Sequence, residues 1–307
     1  MSAPDRALRA QLDTLATEAY RPELAGIDRL GTLEIVRLMN AEDRTVADAV
    51  AGRLPEIAAA IDAVVERLAR GGRLVYAGAG TAGRLGALDA AECPPTFRTD
   101  PGQVVALIAG GPAALVGAVE GAEDSAEAAG RDLAALGLGP DDVLVAVSAS
   151  GRTPYAIGAL VHARAVGALT VGLSCNEGSA LGEAADHPIE VEVGPELITG
   201  STRLKAGTAQ KLVLNLLSTV TMIRLGRTYG NLMVDVRASN EKLRARCRRI
   251  VALATGADED TVEQALAATG GEAKNAILVI LGGVDAPTAA RLLEAAHGHL
   301  REALGAA

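Results

Sequence analysis

The strongest constraint on the fold is an alternation running through the middle of the chain. Five short β-rich runs, Arg73–Ala77, Val104–Ala109, Val143–Val147, Leu169–Leu173 and Ile189–Val193, are separated by stretches with helical patterning near Gly83–Ala91, Ala113–Leu136, Pro154–Val166 and Ser179–Ala184. Strands that read as continuous apolar runs are buried on both faces, and strands that alternate with helices pair in parallel. The pattern predicts an α/β fold, a three-layer αβα sandwich built on a parallel sheet. Ahead of it, an irregular stretch to about Arg44 holds a helix around Thr32–Met39, and one long amphipathic helix, Val46–Ala69, ends at Gly71-Gly72. Beyond it come a loop, Gly194–Lys205, an apolar helix near Thr208–Leu225, a loop, Gly230–Val236, and a basic helix, Asn240–Ala254. Three further segments, Asp258–Thr269, Glu272–Leu281 and Ala286–Ala303, predict a small helical domain at the end.

Composition narrows what such a sandwich can serve. The 307 residues suffice for about two domains, or for one with an appendage. Hydrophobic residues make up 49% and charged residues 22%, which excludes global disorder. Lys and Arg number 29 against 38 Asp and Glu, a net charge of −9 that argues against a nucleic-acid partner. Aromatics are 2%, too few for base-stacking platforms. Cys93, Cys175 and Cys247 are odd in number and scattered, with no C-x-x-C spacing, so neither a disulfide framework nor a cysteine metal site is expected and a reducing cytoplasm is the natural setting. Residues 1–20 lack the apolar stretch of a signal peptide, and the longest uncharged run, Pro101–Val119, is interrupted by Gly110, Gly111 and Pro112, so no membrane span is expected.

Chemistry in parallel α/β sheets gathers at the carboxyl ends of the strands. Gly78-Ala79-Gly80-Thr81-Ala82-Gly83 follows the first predicted strand and fits G-x-G-x-x-G. A dinucleotide site also needs an acid at the end of the second strand, and that strand ends Leu107-Ile108-Ala109-Gly110-Gly111. The alternative is a tight turn that simply needs glycine. Ser148-Ala149-Ser150-Gly151-Arg152-Thr153-Pro154 follows the third strand. Its hydroxyls and the N–H groups of the helix start suit a small phosphorylated metabolite, with ordinary N-capping as the competing explanation. A third polar, glycine-rich and basic segment, Thr199–Thr208, reads either as a further anion contact or as a solvated loop with a helix cap.

Two acidic groups are candidates for general acid–base work. Glu92 sits in Asp89-Ala90-Ala91-Glu92-Cys93-Pro94-Pro95, where the prolines are expected to halt the helix. Glu120, Glu123 and Asp124 cluster after Val119, and the competing reading for each is a solvated surface acid. His162, His187, His297 and His299 show no H-E-x-x-H spacing, and no G-x-S-x-G elbow or Walker pattern occurs, so no metal and no nucleoside triphosphate is indicated.

Taken together, Gly78–Gly86, Asp89–Pro95, Val119–Ser125, Ser150–Pro154, Gly200–Lys211 and Gly230–Lys242, in this order, make the chain resemble the N-acetylmuramic acid 6-phosphate etherases. These belong to the sugar isomerase (SIS) superfamily, with the glucokinase regulatory protein as a distant relative. The resemblance spans nearly the whole chain, including Thr17-Glu18 and Asn40-Ala41-Glu42-Asp43. It implies an N-terminal segment over 1–50, a SIS phosphosugar-binding domain over 51–240 and a C-terminal helical domain over 241–307. It also implies a lyase that cleaves the D-lactyl ether of N-acetylmuramic acid 6-phosphate, giving N-acetylglucosamine 6-phosphate and D-lactate, in bacterial cell-wall sugar recycling. The implied enzyme is a cytoplasmic homodimer without a cofactor. Carried onto this chain, the resemblance makes Glu92 the proton donor and Glu123 the second catalytic acid. It places substrate contacts at Gly80, Thr81, Ser150, Gly151, Thr153, Ser201, Thr202 and Lys205.

The chain departs from the family pattern in places. Ala82 stands where Ser is usual, Tyr20-Arg21-Pro22 where Arg-Asn-Pro is usual, Gly31 for Ser and Leu204 for Met. Both acids are retained, which favours the etherase. Ala82 is the feature that favours a non-catalytic phosphosugar-binding regulator on the same fold. A phosphosugar isomerase is the third reading, with His162 and His187 as its only candidate histidines.

Overall fold

A computed structural model describes residues 12, 14–236 and 241–307; Asn240, the expected first residue of the basic helix, lies outside them. The chain folds as two compact units, one of residues up to Ala90 with Gly102–Leu217, the other of Ala91–Pro101 with Ser218–Ala307.

The first unit is built on five parallel strands, β1 (Leu74–Gly78), β2 (Val104–Ile108), β3 (Val143–Val147), β4 (Leu169–Ser174) and β5 (His187–Glu190), in the order β2-β1-β3-β4-β5. Every residue of β1 and β3 is buried, which is why these central strands are apolar without alternation. Val75, Ala77, Leu144 and Ala146 face a core shared with α5 (Ala126–Leu136) and α6 (Pro154–Ala165), through Leu133, Tyr155, Ala159 and Leu160. Alternation sends Leu74 and Tyr76 to the opposite face, where Tyr76 donates a 2.7 Å hydrogen bond to Asp89 of α4 (Gly80–Phe97). Asn215 of α8 (Lys205–Arg224) holds the other oxygen of that buried carboxylate. The sheet is thus covered on both sides, as the alternation predicts.

The helix boundaries are less regular than the sequence suggests. The expected Val46–Ala69 helix is two, α2 (Val46–Ala51) and α3 (Leu54–Ala69), because Pro55 has no N–H to continue the ladder past Gly52 and Arg53. Ahead of them, α1 spans Thr32–Asp43. The expected Ala113–Leu136 helix is a 3₁₀ turn (Gly111–Leu115), a second one (Ala122–Asp124) after the left-handed Gly121, and α5, which Ser125 caps. Glu123 therefore lies in a turn and not on a long helix. Conversely, α4 runs through Pro94 and Pro95 to Phe97 instead of stopping at them, and Arg98 still donates to the Pro94 carbonyl. The prolines fall in the last turn, where only the bonds to the Ala90 and Ala91 carbonyls are forgone. The fifth strand is His187–Glu190, not Ile189–Val193, because β4 leaves the sheet after Ser174, and the Cys175 N–H goes to the Ala149 carbonyl. The short α7 (Ala180–Ala184) links β4 to β5.

The second unit is helical: α9 (Glu241–Thr255), α10 (Glu259–Ala268), α11 (Ala273–Gly282), α12 (Ala286–Ala295) and α13 (Leu300–Gly305). Cys247, Ile250, Val251, Val262, Leu266 and Ile277 lie in its core. The expected Ala286–Ala303 helix breaks between α12 and α13, where His297 and Gly298 take positive φ. Cys93, Cys175 and Cys247 are buried free thiols, and burial pushes the Cys175 thiol up to about 12. No single helix among the described residues is long and apolar enough to cross a membrane.

Candidate functional site

Strand order fixes where a ligand can enter. From β1 the chain crosses to β2 on one side, and from β3 to β4 on the other, so a crevice opens at the carboxyl ends of β1 and β3. Gly78 and Val147 are registered partners at those ends. The two loops singled out in the sequence, 79–83 and 148–153, therefore leave the sheet side by side.

The second loop is an organised hydroxyl cluster. Ser148 is buried, and its Oγ lies 2.8 Å from Thr153 Oγ1 and 3.3 Å from Ser150 Oγ. The Gly151 N–H donates to Ser148 Oγ and the Arg152 N–H to Ser150 Oγ. Thr153 is the N-cap of α6, yet its side chain makes no capping bond, so capping does not account for the cluster. The N–H groups of Tyr155 and Ala156 open α6 without intrahelical partners. Neutral hydroxyls and free backbone donors at a helix start are what an anion such as phosphate requires. Gly151 turns the loop at φ +68°, and its carbonyl accepts the Leu181 N–H.

The first loop opens α4 at Gly80, whose φ is +53°. Thr81 is half-buried and packs on the start of α8, its Cγ2 3.3 Å from where a Cβ on Gly207 would lie. The Ala82 methyl is buried. Ser201 and Thr202 form the turn that leads into α8: the Leu204 N–H donates to Ser201 O and the Gly207 N–H to Thr202 O. Lys205, the first residue of α8, is 5% exposed, and its ammonium lies 2.7 Å from Glu42 of α1. Glu42 also receives Arg21 at 2.6 Å. Burial alone would push the Glu42 carboxyl up, but the bonds from Lys205 and Arg21 outweigh it and hold it below the usual carboxylate range. Buried Glu196 accepts the N–H groups of Lys205 and Ala206, so the start of α8 already has its anion.

Two cavities adjoin the crevice. One, of about 500 Å³, is lined by Ser150, Arg152, Asn176, Ser179 and the segment Thr14–Ala16, with Glu177, Glu183 and Glu192 around it. The other, of about 260 Å³, brings together Gly80, Arg84, Glu120 and Glu123. The structure thus joins Gly80 to Glu123, and Ser150 to Gly151 and Thr153. Glu92 is exposed on α4, twelve residues beyond Gly80 along the same helix. Among the described residues no group of three His, Cys, Asp or Glu is placed to hold a metal ion.

Several participants carry no local sequence signal. Asn176 donates to both Thr17 Oγ1 and the Ala149 carbonyl, pinning the N-terminal segment against the hydroxyl loop across 159 residues. Glu42 and Thr17 belong to motifs that carried the family resemblance without a role attached. Arg84 stands inside the Gly78–Gly86 motif with no role attached.

A model described as the glucokinase regulatory protein N-terminal SIS domain matches residues 56–164, and a SIS domain model matches residues 122–220. A Streptomyces avermitilis protein named N-acetylmuramic acid 6-phosphate etherase is 76% identical over 98% of this chain and 97% of its own. A Streptomyces coelicolor protein of the same name is 74% identical over 98% of this chain and 96% of its own. Among solved structures, a phosphoheptose isomerase from Francisella tularensis covers 63% of this chain and 100% of its own, at 19% identity and a TM-score of 0.47.

Proposed function

The chain belongs to the N-acetylmuramic acid 6-phosphate etherase family, and on that footing we propose that Glu92 and Glu123 are its acid–base pair and that the Ser148–Thr153 loop seats the substrate phosphate. The enzyme is a carbon–oxygen lyase that cleaves the D-lactyl ether of N-acetylmuramic acid 6-phosphate with water, yielding N-acetylglucosamine 6-phosphate and D-lactate. The observation that supports Glu123 and the phosphate loop is the pairing of loops at the β1/β3 crevice, whereas Glu92, twelve residues along α4 from Gly80, is assigned from the family resemblance. A hydroxyl cluster at the start of α6 lies beside a glycine loop whose Gly80 shares a cavity with Glu123.

An unactivated alkyl ether resists direct displacement, whereas an aldehyde makes the proton on its neighbouring carbon acidic. With the sugar ring open, a carboxylate takes the C2 proton and a carboxylic acid protonates the C3 ether oxygen as that C–O bond breaks. D-lactate leaves, and an unsaturated aldehyde remains. Water then adds, its oxygen to C3 and a proton to C2, so atoms balance with two carboxyl groups and an anion anchor. Glu92 donates to the leaving oxygen and Glu123 is the second acid. Ser150, Gly151 and Thr153 hold the phosphate. Gly80, Thr81, Ser201, Thr202 and Lys205 line the sugar, with Lys205 held in place by Glu42.

Replacing Ser150 or Thr153 with Ala is expected to raise KM about 10-fold with little change in kcat, because a phosphate remote from the reacting carbons is bound alike in ground and transition state. Steady-state kinetics on the two variants check this, and an unchanged KM removes the loop from the site.

The assembly is a homodimer acting in the cytoplasm. In favour of pairing, α1 buries none of its own residues and exposes Leu33, Val36 and Met39 at helical spacing. The solution mass by light scattering checks it, and a monomer at working concentration overturns it. In favour of the cytoplasm, a phosphorylated sugar does not cross a membrane unaided, so its consumer works where it is formed.

A further inference from the structure

The substrate of the proposed reaction carries two anions, and the hydroxyl loop accounts for only one. The other is the carboxylate of the lactyl group, one carbon away from the ether oxygen that departs. Whatever reads it must sit beside the groups that perform the chemistry.

Arg84 lies on α4 four residues beyond Gly80, one turn along the same face. It lines the cavity that also holds Gly80, Glu120 and Glu123. Its Nε donates to the Leu115 carbonyl at 3.2 Å and its Nη2 to the Gly117 carbonyl at 2.8 Å. These acceptors carry no net charge, and none of the ion pairs among the described residues involves Arg84. The remaining amino group, Nη1, makes no hydrogen bond among the described residues. Two carbonyls thus hold a half-buried guanidinium rigidly, with its charge uncompensated by any bonded carboxylate and part of its fork open. Glu120 and Glu123 across the cavity are exposed, so water screens their charge far more than that of the anchored guanidinium.

We infer that Arg84 is the specificity residue for the lactyl carboxylate, binding it through its open guanidinium edge beside Glu123. A planar guanidinium matches a planar carboxylate, whereas the neutral hydroxyl and N–H cradle at the start of α6 suits the tetrahedral phosphate. The two carbonyl bonds explain why the fork stays fixed: they tie α4 to the segment that leads into the Glu120–Glu123 turn. Substrate recognition and placement of Glu123 thus depend on one side chain.

The inference rests on the etherase reading and has a test that separates the two. Two substrates are compared, N-acetylmuramic acid 6-phosphate and its lactyl amide, which keeps the shape and loses the charge. Wild-type protein is expected to prefer the acid. In Arg84→Gln the ratio of kcat/KM for acid over amide is expected to fall about 10- to 100-fold, the range for losing a charge-assisted hydrogen bond. Arg84→Lys, which keeps the charge without the fork, is expected to give an intermediate ratio, and it serves if the Gln variant does not fold. If either variant loses activity equally on both substrates, so that the ratio holds, Arg84 only anchors the 115–117 segment and the inference is wrong. A wild-type protein that releases neither D-lactate from the acid nor D-lactamide from the amide overturns the underlying reading as well.

Discussion

Purified Glu92→Gln protein is expected to release D-lactate at least about 100-fold more slowly than wild type while still binding the phosphosugar. The reason lies in the leaving group. Breaking the C3–O bond without a proton expels an alkoxide, and an amide cannot supply that proton. Glu92 is exposed on α4, so Gln, nearly identical in shape, removes little packing and the fold should persist. Binding should persist because the proposed phosphate contacts come from the loop after β3. A kcat loss with an almost unchanged KM is therefore the signature. Measuring both by coupled D-lactate detection checks it, and near-normal turnover would remove Glu92 from the mechanism.

The second large effect is expected at Gly151. Its φ of +68° disfavours any side chain, and a Cβ built there lies 2.3 Å from Ser179 Cβ and 2.7 Å from Ser179 Oγ. Ser179 has no freedom to yield. Its hydroxyl accepts the Gly182 N–H as the cap of α7, lies 3.1 Å from Ser174 Oγ and donates to Glu190 at 2.8 Å. Gly151→Ala combines left-handed strain with overpacking against a bonded side chain, together about 3 kcal/mol. The same shift drags Ser148 and Ser150 out of register, so KM should rise more than in Ser150→Ala. Urea unfolding and kinetics on one preparation check both parts. A variant of wild-type stability and KM would mean that the loop relaxes freely and is no preorganised cradle.

Legibility in the sequence followed the range of the forces involved. Central strands such as Val143–Val147 are readable because burial on both faces demands an unbroken apolar run, and both crevice loops are readable because hydroxyls and glycines cluster between a strand and a helix. Fold class and family followed from these. Helix ends were less legible, because they depend on what a segment packs against. Pro94 and Pro95 did not stop α4, and Gly121 divided a stretch that reads as one helix. Side chains that act through distant partners left no local trace. Nothing around Asn176 announces Thr17, and nothing around Lys205 announces Glu42. Arg84 sits in a legible motif, but its open edge follows from carbonyls at Leu115 and Gly117 that only the fold brings to it.

The most direct measurement of the central claim is the fate of solvent oxygen when the protein acts on N-acetylmuramic acid 6-phosphate in heavy-oxygen water. Elimination followed by hydration puts the labelled oxygen on C3 of N-acetylglucosamine 6-phosphate and leaves the D-lactate unlabelled. Labelled D-lactate would mean displacement at the lactyl carbon, and the acid–base account built on Glu92 and Glu123 would be wrong.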